Sequence, residues 1–370
     1  MELVLDDIKI KNTEDELKTK IIRKEVQQAS KEFRAKYPFL QHQNAIGFFI
    51  FAFSIAMIIL SAVLYLQHKI PTIAVVLSVA FWTSFLHELE HDLIHFMYFK
   101  KNKFIQNLMM LGVWIFRPMT INPWLRRHIH FHHHRVSGTK TDLEERGVTN
   151  GEPWSFKRLI TVADVVLGGI LRGALIRRDI INAVKSGEIT REHSLIFRRV
   201  KFYGMLPFSI LLYLVWYFFL AHYAVHFISA IFNLGYQSPA IIEAQFKWIN
   251  PLVFILILPN LFRMFSLHFI TSNMHYYGDV ESGNVMQQTQ VLNKWYFIPM
   301  QLFCCNFGST HAIHHFVVNE TFYVRQFTAA KAHKVMQEQG VRFNDIASIK
   351  RANRFYESST SQVQQGYSPA

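Results

Sequence analysis

The chain has 370 residues, of which 51% are hydrophobic and 15% aromatic, and it carries a formal net charge of +13 at pH 7. Such apolar bulk beside a strong basic excess excludes an ordinary water-soluble globule and fits an integral membrane protein with a large wet face. No basic run is interleaved with a recognisable nucleic-acid module, so the charge is read as orientation and headgroup contact, with no nucleic-acid partner.

In chain order, Met1–Gln41 is polar and charged, with Asp6, Asp7, Glu14 and Glu16 among the bases. It is no cleavable signal peptide and predicts a surface amphipathic helix before the first span. Ala45–Leu66 and Ile70–Leu86 are uncharged and flank Gln67-His68-Lys69, which predicts a tight transmembrane hairpin; roughly 20 residues cross the hydrocarbon core. Phe104–Phe116 is too short to span and predicts an interfacial or re-entrant helix. Phe202–Phe232 is a third span, and Trp248–Phe262, resuming past Arg263 to Ile270, is a fourth. Trp295–Phe307 repeats the short interfacial pattern, and Ser358–Ala370 is a polar tail. The only cysteines, Cys304 and Cys305, are adjacent. They provide neither a disulfide framework nor an iron–sulfur site, in keeping with a reducing compartment.

Lys and Arg concentrate in residues 1–44, in 99–204 and after 271, while the links within the paired spans offer only Lys69 and Lys247. The positive-inside rule then places both termini and the long central segment in the cytoplasm. The expected fold is all-α: a polytopic membrane protein with four transmembrane helices, divided into an N-terminal segment 1–44, a membrane domain 45–320 and a C-terminal segment 321–370.

Three histidine clusters carry the chemistry. The first is His87-Glu-Leu-Glu-His91-Asp-Leu-Ile-His95, the second runs from His128 to His134, and the third is His311-Ala-Ile-His314-His315. Residues three and four apart share a helix face, and neutral imidazole is the commonest metal ligand. The middle run offers two registers, His130/His133/His134 or His128/His132/His133, and spacing does not choose between them. With the predicted topology, all three clusters and His275 fall on one face of the membrane. A merely solvated basic face would not require that agreement. More than eight candidate imidazoles exceed what one zinc uses and point to iron, in more than one copy. Glu88, Glu90, Asp92, Asp142, Glu144, Glu145 and Asp279 lie close in sequence; some are candidates to orient imidazoles, though a solvated surface is the plainer reading for most. His222 and His226 also stand four apart, near the opposite end of the third span, and are read as interfacial residues. A different class of enzyme stays open, because His87-Glu-Leu-Glu-His91 is also the HExxH pattern of a zinc protease with Glu88 as base.

These residues resemble the integral-membrane fatty acid desaturase and hydroxylase superfamily, whose pattern is HxxxH, HxxHH and HxxHH after membrane spans. The matching positions are His87/His91, His130/His133/His134 and His311/His314/His315, with His275 in His275-Tyr-Tyr-Gly278 similar to the extra ligand of acyl desaturases. The resemblance covers about residues 45–320 and favours the first register of the middle run. It implies a metal site of His87, His91, His130, His133, His134, His275, His311, His314 and His315 holding two iron ions beneath a cytoplasmic helical cap. Dioxygen is the implied co-substrate, with electrons from a separate ferredoxin- or cytochrome-type donor. A long-chain fatty acid or acyl lipid is the implied substrate, and desaturation the leading reaction. Hydroxylation, or oxidative decarboxylation of a free fatty acid to a terminal alkene, is the alternative. His95, His128 and His132 exceed the family pattern and are assigned ordinary polar roles.

Overall fold

The computed structural model describes residues 13–162 and 177–356, apart from positions 179, 183 and 188. The described residues are helical, with isolated bridges at His275–Thr289 and Val291–Phe343 and no strand among them. The predicted tail from Ser358 lies outside the described residues.

Four helices among the described residues are long and apolar enough to cross a membrane. The first two, α2 (Gln43–Leu66) and α3 (Thr72–Ile94), form the predicted hairpin. Pro71 opens α3 from an extended conformation, and the hydroxyls of Ser61 and Ser78 meet at 2.8 Å across the pair. Small buried residues of this kind let apolar helices approach closely where no hydrophobic force separates protein from lipid. The third is α9 (Phe208–Ile231). The fourth runs without a break from Ala240 to Met274: α10 (Ala240–Leu252), a π-helical turn at Val253–Ile257, and α11 (Leu258–Met274). Pro251 and Pro259 bracket that turn. Each proline withdraws an N–H from the helical ladder, and a wider turn is one way to rejoin it. Arg263 therefore lies inside the span.

α3 also runs on past the predicted exit at Leu86 to Ile94, with Glu88, Glu90 and Asp92 all buried. Buried carboxylates are tolerated when paired, and these are. Glu88 meets Arg325 at 3.3 Å. Glu90 meets Arg117 at 2.8 Å and Arg126 at 2.7 Å. Asp92 accepts from Tyr98 Oη and the Phe322 amide and lies 3.6 Å from Arg325.

The other helices gather where α3 and α11 end. They are α1 (Thr13–Lys36), α4 (Lys103–Ile115), α5 (Pro123–Val136), α6 (Leu143–Gly147), α7 (Phe156–Val162), α8 (Arg191–Gly204), α12 (Phe307–Phe316) and α13 (Phe322–Glu338). The expected amphipathic N-terminal helix exists. It buries Thr19, Ile22, Val26 and Ala29 at helical spacing, and Ile22 and Val26 join a core with Ala332 and Met336 of α13. α4 has the expected short length. Trp295–Phe307, predicted as one helix, is instead a 3₁₀ turn at Trp295–Phe297 and one helical turn at Ile298–Gln301. Cys305 and Asn306 at positive φ then redirect the chain into α12.

Candidate metal centre

Each histidine cluster sits on an element whose own sequence fixes its direction. α5 starts at Pro123 behind an Asn122 cap, whose side chain accepts from the Leu125 amide at 2.9 Å. That start turns His130 and His133 inward and leaves His128 exposed. His132 is half-buried and reaches the Thr141 carbonyl at 3.1 Å. His275 leaves the end of α11 in an extended conformation, and α12 buries His311, His314 and His315 together.

The side chains converge into two groups. His91, His95, His130, His134 and His314 form one; His133, His275, His311 and His315 form the other. In each, one ligand atom per residue lies within 4.8 Å of all the rest. The predicted register of the middle run is therefore the one that faces inward, His130 and His134 serving the first group and His133 the second. Eight of the nine predicted ligands are brought together. His87 stands outside both groups, with Nε2 3.5 Å from Arg126 Nη2 and its ring edge-on to Phe307, although it lines the same cavity. His95, one turn beyond His91 on the same face, occupies the first group instead. The i,i+4 spacing His91–His95 was the signal for it.

The donor chemistry fits metal. His130 Nδ1 is 2.9 Å from Glu144, His133 Nδ1 2.9 Å from Asp142, and His315 Nδ1 3.0 Å from Gln288 Oε1. His275 Nδ1 is 3.0 Å from the Thr271 carbonyl. Acceptors at Nδ1 assign the proton to that nitrogen and leave Nε2 with its lone pair. Within the two groups ring Nε2 atoms approach one another: His130 to His95, His134 to His130 and His314 to His134 at 3.0 Å each, and His315 to His311 at 3.3 Å. Both nitrogens of His91, and Nε2 of His275, are buried without a hydrogen-bond partner. Converging imidazole nitrogens in a dry site, several of them without a partner, are satisfied by cations placed among them, and nitrogen donors suit iron. His314 departs from the pattern: its Nδ1 lies 2.8 Å from Arg325 Nη1, and a guanidinium only donates.

Burial sets the protonation. It pushes His134, His311, His314 and His315 well below the usual imidazole range, His95 to about 2 and His275 to about 3. They are neutral at pH 7, which is the form that binds metal. Burial also opposes charge on His133, but Asp142, Glu144 and Glu145 outweigh it and carry that imidazole up to about 10, so at pH 7 its Nε2 holds a proton that a bound cation would displace.

Asp142 is placed by its loop. Its Oδ1 caps α6, accepting from the Glu144 and Glu145 amides at 3.1 and 3.3 Å, while Oδ2 accepts from the Gly138 amide and holds His133. Gly138 has φ +78°, and a Cβ there would lie 2.8 Å from the Tyr276 carbonyl oxygen, so this turn requires glycine. Asp142, Glu144 and Glu145 thus serve the imidazoles, whereas Glu88, Glu90 and Asp92 serve arginines. Asp279 accepts from the Phe355 and Tyr356 amides at 2.8 and 2.9 Å. Sequence reasoning missed Arg117, Arg126 and Arg325, because a lone arginine far along the chain gives no local sign of its partner.

A cavity of about 190 Å³ opens onto both groups, lined by His87, His91, His130, His133, His275 and His311 among others. Holding one water needs only roughly 10–15 Å³, so this space admits part of a larger ligand. Comparison with known proteins finds the family model Fatty acid desaturase matching residues 69–347. No curated protein and no solved structure matches the chain. Four apolar helices, two buried imidazole groups and a match across most of the sequence agree: the chain belongs to the fatty acid desaturase family.

Proposed function

We propose that the protein is a membrane-bound, oxygen-dependent di-iron oxidase of fatty acyl chains, most simply a desaturase. The observation carrying this reading is the pair of buried imidazole groups, in each of which one nitrogen per ring converges within 4.8 Å of the others. Two irons, with dioxygen and two electrons from a separate ferredoxin- or cytochrome-type donor, supply the oxidant that removes hydrogen from an unactivated C–H bond. The residues position and protect. Asp142, Glu144, Gln288 and the Thr271 carbonyl fix ring orientation. His91, His95, His130, His134 and His314 are assigned to one ion, and His133, His275, His311 and His315 to the other, with His87 beside them on the cavity wall. The basic-residue distribution supports a site and termini on the cytoplasmic side.

The zinc-protease reading has less support. His87 and His91 do not share a ligand group among the described residues, and Glu88, the required base, is paired with Arg325. Expression with a fatty acid feed, gas chromatography of the products and metal analysis of the purified protein test the proposal. An oxidised acyl product together with two irons per chain is expected. One zinc per chain, or no product from any lipid, overturns it.

A further inference from the structure

Arg263 lies within α11 at 1% exposure, and its Nε and Nη1 are buried without a hydrogen-bond partner. No ion pair reaches it among the described residues. Its neighbours on the cavity wall differ. Arg117 Nη1 is 2.8 Å from Glu90 Oε2 and donates to the Leu86 carbonyl at 3.2 Å. Arg126 Nη1 holds Glu90 Oε1 at 2.7 Å. Both oxygens of Glu90 are thereby committed, and Glu144, 4.0 Å from Arg126, is tied to His130. Three guanidinium groups line one cavity, and no carboxylate among the described residues lies within ion-pair distance of Arg263. A buried cation in that state is heavily disfavoured, and an ionisable side chain inside a span marks a functional site by default. The missing component is an anion.

The same cavity indicates which anion. Beyond the arginines, the histidines and the carboxylates of Glu144 and Glu145, its wall is mostly apolar, with Met119, Ile121, Met205, Met264, Leu267 and Phe307. A ligand that fits has an aliphatic body and one small negative head. A carboxylate offers two oxygens to the guanidinium fork; an ester or thioester carbonyl is neutral and would leave the charge unanswered. We propose that Arg263 anchors the carboxylate of a free long-chain fatty acid, which enters head first beside the histidines. This rests on the oxidase reading above and narrows it. The C–H bonds presented to the site are then those near the carboxyl end, so a double bond, a hydroxyl or a lost carbon is expected there rather than in mid-chain.

The test is equilibrium binding of hexadecanoic acid and of its methyl ester to the full-length, detergent-purified protein, with the unfolding temperature of each sample recorded. Wild type is expected to bind the acid at least about tenfold more tightly than the ester, roughly 1.4 kcal/mol, and to unfold at a higher temperature with the acid present. Arg263→Gln should abolish that preference, and Arg263→Lys should restore part of it. Without ligand, Arg263→Gln should unfold no earlier than wild type, because it removes an unpaired buried charge. Equal binding of acid and ester by wild type overturns the proposal, as does a preference retained in Arg263→Gln. An unliganded Arg263→Gln protein that unfolds early, or fails to fold, also overturns it by assigning the arginine to structure. Iron content separates the two readings. Two irons without acid preference leaves the oxidase and removes the anchor; acid preference without iron does the reverse.

Discussion

Two places in the molecule set histidines four residues apart on a helix close to a carboxylate, and they behave differently. At the end of α3, His91 and His95 lie among three more imidazoles, and His130 among them is held at Nδ1 by Glu144. On α9, His222 and His226 approach Glu243 of α10, again with one ligand atom each within 4.8 Å. There His226 is 37% and Glu243 54% exposed, and His226 bonds Ser238 Oγ at 2.7 Å. Water satisfies an exposed imidazole at little cost, while a buried one left unpaired costs several kcal/mol. Helical spacing fixes which residues share a face. Burial decides whether that face demands a metal.

Five substitutions probe this contrast, taken from the largest effect down. His95→Ala should lower bound iron from two to one per chain and abolish oxidation, whereas His87→Ala should retain both ions; metal analysis of the two proteins side by side checks the assignment. Glu90→Gln leaves Arg117 and Arg126 without their shared carboxylate and should cost about 3–5 kcal/mol, read as a large drop in unfolding temperature with the cap histidines untouched. Asp142→Asn keeps the helix cap but removes the charge at His133, and should weaken metal binding by roughly 10–100-fold in a chelator titration. His226→Ala should change neither iron content nor turnover, and stability by no more than about 0.5 kcal/mol. Loss of iron in that last variant would erase the distinction between the two regions.

Much of this was legible from the chain. Uncharged runs located the four spans, and the histidine boxes together with His275 located eight of the nine residues that come together in two groups. What stayed hidden depended on long-range pairing. The extension of α3 beyond Leu86 is stabilised by Arg117, Arg126 and Arg325, up to 237 positions away from the carboxylates they meet. The choice of His95 over His87 follows from where α5 and α12 cross α3, which periodicity on α3 alone does not report. The short helix expected at Trp295–Phe307 failed for a local reason, since Cys305 and Asn306 adopt a left-handed backbone that hydropathy does not register.

The π-helical turn at Val253–Ile257 has a consequence for everything after it. The Leu258 amide reaches back to the Val253 carbonyl, so the turn holds one residue more than an α-helical turn. Each residue of an α-helix advances the face by roughly 100°. Deleting a single residue there would swing the remainder of the fourth span about its axis, carrying Arg263 off the cavity wall and His275 out of its ring of imidazoles. One inserted residue in an apolar stretch, far from any histidine, sets the phase in which the reactive half of the helix meets the rest of the protein.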